Sequence, residues 1–228
     1  TGYLYADWKG QIAYTTPNMN GLALTVGITQ PWNTTNLSTA SATSSGGSDM
    51  YAIEAQGSYS WTGDFAGKVW VGVFGQEVQG LTGANITGDT SEDASAFEAG
   101  ISTTIMNIGL VGYAYSGEGV GTTGMLSDGF SNDGKSRDSD GGYVQATYVI
   151  PMGTKLGVSY GISSLDDNAT DAGLNLVKQN ERVTVGAYHP LTKHLNLVAE
   201  WSNVQSESNG PQSDLETNVV SVGAILFF

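Results

Sequence analysis

Residues Asn218–Phe228 read NVVSVGAILFF. Val220, Val222, Ala224, Leu226 and Phe228 fall on one face of an extended chain, with Val219, Ser221 and Gly223 on the other. A period of two is the signature of a strand. The run closes on two phenylalanines with nothing polar after them. Chain ends usually sit in water, so an aromatic last residue asks for an apolar surrounding.

The same alternation recurs upstream. Leu22, Leu24, Val26 and Ile28 oppose Ala23, Thr25, Gly27 and Thr29. Tyr51, Ile53, Ala55, Tyr59 and Trp61 oppose Glu54, Gln56, Ser58 and Ser60. Leu156, Val158, Tyr160 and Ile162 oppose Gly157, Ser159 and Gly161. Eleven strands are expected, near 10–16, 21–31, 50–61, 67–78, 95–106, 108–118, 142–150, 154–164, 178–189, 194–205 and 215–228. Their connections alternate. Short ones (PNMNG, TGDFAG, MNIG, PMGT, HPLTK) are interleaved with long ones at 32–49, 79–94, 119–141, 165–177 and 206–214. Tight turns on one side and long polar loops on the other are the asymmetry of an outer-membrane barrel. The fold class expected is all-β, an antiparallel transmembrane β-barrel forming a single domain over 1–228.

Composition points the same way. The 228 residues include 32 Gly and no Cys, only 13% are charged, and the formal net charge is -14. Without Cys there are no disulfides or thiolate metal sites. An acidic balance argues against nucleic acid, which needs a basic footprint. No run of apolar residues is long enough for a membrane-spanning helix. Thr1 opens no basic-then-apolar leader, so any signal peptide is expected to be already gone. A soluble β-sandwich or lipocalin-like barrel would turn Lys and Glu toward water. Here the polar face carries Gly, Ser, Thr and Gln, and the apolar face ends in Trp61, Tyr148 and Phe228 near the turns. That is an inside-out barrel with interfacial aromatic girdles.

The C-terminal run resembles the terminal signature of Gram-negative outer-membrane proteins, an aromatic last residue behind alternating apolar ones. VTVGAYHPLTKHLNLVAEW resembles the penultimate hairpin of the general trimeric porins, with Thr192 for the usual Ser and His194-Leu195 for a frequent Arg-Thr. QIAYTTPNMNGLALTVGI is similar to another porin hairpin, departing from it at Thr16 and Met19, and TKLGVSYGISSLD is similar to a porin strand. The resemblance runs through the whole chain. It implies a water-filled channel in the outer membrane of a Gram-negative bacterium, passing small hydrophilic solutes and ions by passive diffusion. It implies a homotrimer, contact with outer-membrane lipid and lipopolysaccharide, and reading of Val220, Val222, Ala224, Leu226 and Phe228 by the barrel-assembly machinery.

The first and last expected strands both run toward the short-turn side, so they cannot close on each other as an antiparallel pair. An odd number of strands is then absent between them, because bacterial barrels have even strand numbers. The sixteen usual in the porin family would leave five missing on the N-terminal side. TGYLYADWKG would then be the tail of the pore-constricting loop or the top of the strand after it. Several chains closing one barrel together is the alternative.

No catalytic, metal or cofactor constellation emerges. His189 and His194 flank one turn and read as interfacial residues, lacking convergent partners. GYAYSGEGVGTTG enters no helix and is not a phosphate loop. Counted upward from each short turn at ~3.3 Å per residue, Lys9, Glu54, Glu98, Arg182 and Glu200 reach mid-height on the polar parity of their strands. Gln76 and Glu118 reach similar levels. These seven are the candidate pore-lining residues, and their excess of carboxylates predicts weak cation preference. SDGFSNDGKSRDSDGG, residues 127–142, gathers Asp128, Asp133, Asp138 and Asp140 in what reads as a solvated loop. It lacks calcium-loop spacing, and the alternative for it is divalent bridging to lipopolysaccharide. From another class, the competing function is a non-conducting barrel serving as surface receptor, adhesin or structural anchor. Such a barrel would carry paired bulky residues or buried ion pairs inside. Gly27, Gly72, Gly100, Gly112, Gly157, Gly161 and Gly186, all expected to face the lumen, favour an open pore.

Deleting Phe228 should lower the amount of folded barrel in the outer membrane and leave the conductance of the residual protein unchanged. Immunoblots of outer-membrane fractions check this. Unchanged membrane levels would mean that the terminal pattern is not read.

Overall fold

The computed structural model describes residues 1–5, 8–44, 48–88, 90–171 and 173–228. Its strands are β1 (Gln11–Thr15), β2 (Leu22–Thr29), β3 (Thr43–Ser44), β4 (Ala52–Trp61), β5 (Phe65–Val78), β6 (Leu81–Thr82), β7 (Glu92–Ile105), β8 (Ile108–Glu118), β9 (Asp138–Val149), β10 (Lys155–Leu165), β11 (Val177–Thr192), β12 (Leu195–Ser208) and β13 (Leu215–Leu226). Eleven of them form one antiparallel sheet in chain order, β1-β2-β4-β5-β7-β8-β9-β10-β11-β12-β13. The two-residue strands β3 and β6 pair with each other in the long loops. The all-β antiparallel class and the eleven wall strands match the sequence pattern.

Local chemistry sets the turns. Met19 and Leu22 exchange backbone hydrogen bonds at 2.8 and 3.1 Å across Asn20-Gly21. Both central residues have positive φ, 55° and 96°, the geometry that matches the right-handed twist of paired strands. Pro190 in β11 sits where the register with β12 shifts, a bulge that tolerates a residue without an N–H.

One boundary departs clearly from expectation. β9 begins at Asp138, four residues before the expected 142, so Ser139, Asp140 and Gly141 are laddered to both β8 and β10. Gly and Asp disfavour strands intrinsically, but neighbours on both sides override that preference here.

The large aliphatic residues of the wall stand outward. Leu22, Leu24, Val26, Ile28, Val71 and Val158 are each 45–51% exposed. The buried apolar cluster lies elsewhere, where Ala42, Val78, Leu81, Val120, Leu126 and Phe130 bring the long loops together over one end of the sheet. Residues 1–3 lie against β9 and β10, and Tyr5 pairs with the loop at Thr123 and Gly124. Gly2 donates its N–H to Ser163 Oγ at 2.9 Å, and the Tyr3 ring meets the Tyr143 ring edge-on at 6.3 Å.

The expectation of a solvated loop at 127–142 is not met. Arg137 is fully buried and anchors three loops. Its Nε and Nη2 donate to the two carboxylate oxygens of Asp171 at 2.8 and 2.7 Å. Nη1 donates to Ser41 Oγ at 2.9 Å and to the Asp128 carbonyl at 2.7 Å, and Nη2 to the Ala40 carbonyl at 2.9 Å. Asp128 is also buried and accepts from the Leu37 and Ser38 N–H groups at 2.9 and 3.1 Å. A loop rich in Asp is thereby folded inward, because the Arg137 guanidinium and one oxygen of the Asp128 carboxylate find partners there. The Ser131 hydroxyl, donating to Asp133, holds that carboxyl below the usual carboxylate range. Asp138 and Asp140 stay exposed on β9.

Breaking the Arg137–Asp171 pair from one side leaves a buried charge without its partner, at a cost of about 3–5 kcal/mol. Arg137→Met should therefore loosen the loops while leaving the strand ladder intact. Limited proteolysis should show new cleavage within 30–49 and 166–176, with the far-UV β signature unchanged. Unaltered protease resistance would show that Arg137 does not hold the loops.

Candidate functional site

Direct pairing across an antiparallel sheet puts partners on the same face, so register fixes the inner face. Gln56, Gly72, Glu98 and Tyr115 form one row across β4, β5, β7 and β8. Trp70, Gly100, Tyr113, Tyr143, Gly161 and Arg182 form a second across β5 to β11. Gly186 and Glu200 belong to the same face on β11 and β12.

Most of the sequence-derived candidates converge on that face, but with partners. Lys9 forms an ion pair with Glu54, and its Nζ sits 3.3 Å from the centre of the Trp32 ring. Glu98 accepts hydrogen bonds from Gln56 Nε2 at 3.1 Å and from the Tyr113 hydroxyl at 2.7 Å. Glu200 accepts one from Tyr188. Arg182 donates to Thr184 Oγ1 and Ser202 Oγ at 3.1 and 2.9 Å.

Two candidates are placed differently from the expectation. Gln76 is buried and clamps the main chain of Trp32, with the Trp32 N–H to its Oε1 at 3.0 Å and its Nε2 to the Trp32 carbonyl at 2.8 Å. It anchors a loop instead of facing a channel. Glu118 has the opposite parity to Tyr113 and Tyr115. It pairs with Asp138 at the long-loop end and is exposed on the outer side of β8. Gly112 shares that outer face, paired with Ile101 and Val144. The bulky tyrosines of β8 point inward and reverse the parity that hydrophobicity alone suggests.

The inner glycines are not bare wall. A Cβ on Gly100 would stand 2.1 Å from the Trp70 ring, and one on Gly72 would stand 2.7 Å from the Glu98 carboxylate. On Gly186 it would meet the Tyr188 hydroxyl at 2.8 Å, and on Gly161 the Thr1 carbonyl at 2.6 Å. Gly72, Gly100 and Gly186 are berths for a neighbour's side chain and Gly161 for the main chain of Thr1, while Gly27 and Gly157 leave ordinary contact distances. Lys68, absent from the sequence-derived set, lies on the inner face opposite Ser60 and Ser102, 6.0 Å from the Trp70 ring. Its polar parity was readable; its aromatic neighbour needed the fold.

Along β1, β2, β4, β5, β7 and β8 the inner face lines a half-open cavity of about 380 Å³. Trp32, Phe74, Tyr113 and Tyr115 supply aromatic surface, and Glu54 and Glu98 supply carboxylates. His189 and His194 remain at short turns, contacting Thr154 Oγ1 and the Phe227 carbonyl.

No protein-family model matches the chain, and no curated protein sequence does either. Solved structures do. The outer membrane channel DcaP of Acinetobacter baumannii aligns with a TM-score of 0.73 at 16% identity, covering 95% of this chain and 62% of that one. The anion-selective porin from Comamonas acidovorans aligns with a TM-score of 0.63 at 15% identity, covering 96% of this chain and 59% of that one. The chain thus spans about three fifths of the structures it resembles, and at these identities the likeness is one of fold. One neighbour is described as an outer membrane channel and the other as an anion-selective porin; they do not single out the general trimeric family.

Gly100→Ala should expel the Trp70 ring, at roughly the 1–3 kcal/mol of an overpacked site. Tryptophan emission should move to longer wavelength and the urea midpoint should fall. Identical spectra and stability would mean that the ring does not rest on Gly100.

Proposed function

We propose that this chain forms wall strands of a water-filled outer-membrane channel for passive diffusion of small hydrophilic solutes and ions. The observation that carries this reading is the inversion of the sheet. Aliphatic side chains stand exposed on the outer face, and Gly, Ser, Thr and charged groups line the inner one. Hydrocarbon outside and water inside is the environment in which that distribution is stable. The fold shared with two outer-membrane channels supports it. On the same reading the protein resides in the outer membrane of a Gram-negative bacterium as a homotrimer. Lipid and lipopolysaccharide surround it, and the barrel-assembly machinery delivers it.

A weak cation preference is part of the proposal. One neighbour is described as anion-selective, so the fold does not fix the sign, and local charge must. Lys9 offsets Glu54. The bias therefore comes from Glu98 and Glu200, opposed by Arg182 and Lys68.

A second reading, a non-conducting barrel acting as receptor or anchor, draws on the buried Arg137–Asp171 pair and the packed loops at one end. Conductance separates the two. The reconstituted protein should conduct in planar bilayers; silence from correctly folded protein would favour the plugged barrel. Replacing Glu98 and Glu200 together by Gln should shrink the cationic reversal potential in a KCl gradient, and Arg182→Gln should enlarge it. The differences should fade at high salt, since wall charges are screened over roughly 8–10 Å at physiological ionic strength. An unchanged potential in the double Gln variant would place selectivity elsewhere.

A further inference from the structure

The inner cavity holds two carboxylates, and only one has a cation. Glu54 is paired with Lys9, whose ammonium also lies over the Trp32 ring. That half of the cavity is a completed arrangement of carboxylate, cation and aromatic face. Glu98 repeats two of the three parts. Its oxygens accept from Gln56 and Tyr113, the Tyr113 ring stacks on Tyr143 at 5.4 Å, and Tyr115 lies beside it with centroids 6.4 Å apart. Among the described residues no Lys or Arg forms an ion pair with Glu98.

The wall holds this carboxylate in place deliberately. Gly72, between Gln56 and Glu98 in the register, leaves the space across which the Glu98 side chain lies, and a Cβ there would stand 2.8 Å from its Cγ. A carboxylate accepting two hydrogen bonds still has lone pairs to offer. Aromatic faces attract cations through their quadrupole, and a net charge of -14 concentrates cations near the protein. A cavity of about 380 Å³ is in the range that encloses a small organic molecule.

We propose that this cavity is a binding site for a small organic cation, an ammonium or amidinium group attached to an apolar or aromatic body. The charged group would pair with Glu98, and the body would lie against Tyr113, Tyr115 and Phe74. The site rests on the channel reading for its access from water, and it names a solute class that the channel would retain in transit.

Isothermal titration of the detergent-solubilised protein with benzamidinium tests it, using neutral benzamide and anionic benzoate as ligands of the same shape. Benzamidinium should bind saturably. Benzamide should bind about tenfold or more weakly, the size of a lost charge-assisted contact, and benzoate weaker still. Glu98→Gln should bring benzamidinium down to the level of benzamide. Gly72→Ala, which displaces the carboxylate without removing it, should weaken benzamidinium and leave benzamide unchanged. Equal binding of the three ligands, or no binding of benzamidinium, would overturn the proposal. The ligand series on the unaltered protein decides the matter even if a variant fails to fold. Conductance without benzamidinium binding would overturn this site alone, and binding without conductance would overturn only the channel reading.

Discussion

The wall depends on its backbone ladder. The eleven strands pair antiparallel in chain order, with the register interrupted only at the two ends of the β11–β12 ladder, so the interior strands satisfy most of their main-chain donors and acceptors within the sheet. In hydrocarbon each unpaired group would cost several kcal/mol. Once the ladder carries that requirement, side chains are free to be sorted by solvent alone. Valine, leucine and isoleucine go outward, and the inner face accepts whatever the passage needs. The ordinary device of globular proteins, an apolar core between packed layers, is displaced to the loops, where Phe130, Leu126 and Leu81 are fully buried.

Two kinds of order therefore coexist. The wall is specified by alternation, which is local and repetitive. The loop assembly is specified by a few long-range polar contacts centred on Arg137, which joins segments almost a hundred residues apart through Ser41 and Ala40. Thr123, Leu126 and Asp128 take positive φ within that assembly. Such conformations persist only where surrounding contacts over-determine them: the Arg137 guanidinium holds the Asp128 carbonyl, Leu126 bonds Val120 and Thr34, and the Thr123 carbonyl accepts from Tyr5.

What was legible in the sequence follows from this division. Period-two alternation showed every wall strand, the connections and the aliphatic outer face, because alternation is a local signal carried residue by residue. Parity failed on β8, where Tyr113 and Tyr115 are large enough to read as outward girdle residues yet pack inward on Glu98 and Tyr143. That error carried Glu118 to the wrong face. Gln76 lay on the polar parity, but nothing local says that its amide will clamp the Trp32 backbone. The Asp-rich run around Asp128 looked solvated because its partners, the N–H groups of Leu37 and Ser38, are remote in sequence. Charge and composition predict exposure only when no distant group comes to satisfy them.

The glycines of the inner face illustrate the same limit from the other side. Their number suggested width. In the structure, Gly72, Gly100 and Gly186 give that width up to a neighbour's side chain. Gly72 lets Glu98 lie across β5 toward Gln56, and Gly100 lets Trp70 lie across toward β7. A missing Cβ on one strand becomes a rotamer constraint on the next, since a side chain filling a glycine berth loses its alternatives. Carboxylates and rings that would otherwise sample the passage are thereby fixed to the wall, at heights set by register. Because the berths are backbone features of the ladder, the charges of the inner face are placed by the sheet itself. On the proposed channel reading, a solute would meet fixed charges and aromatic faces in a set order, and selectivity would not depend on narrowing the passage throughout.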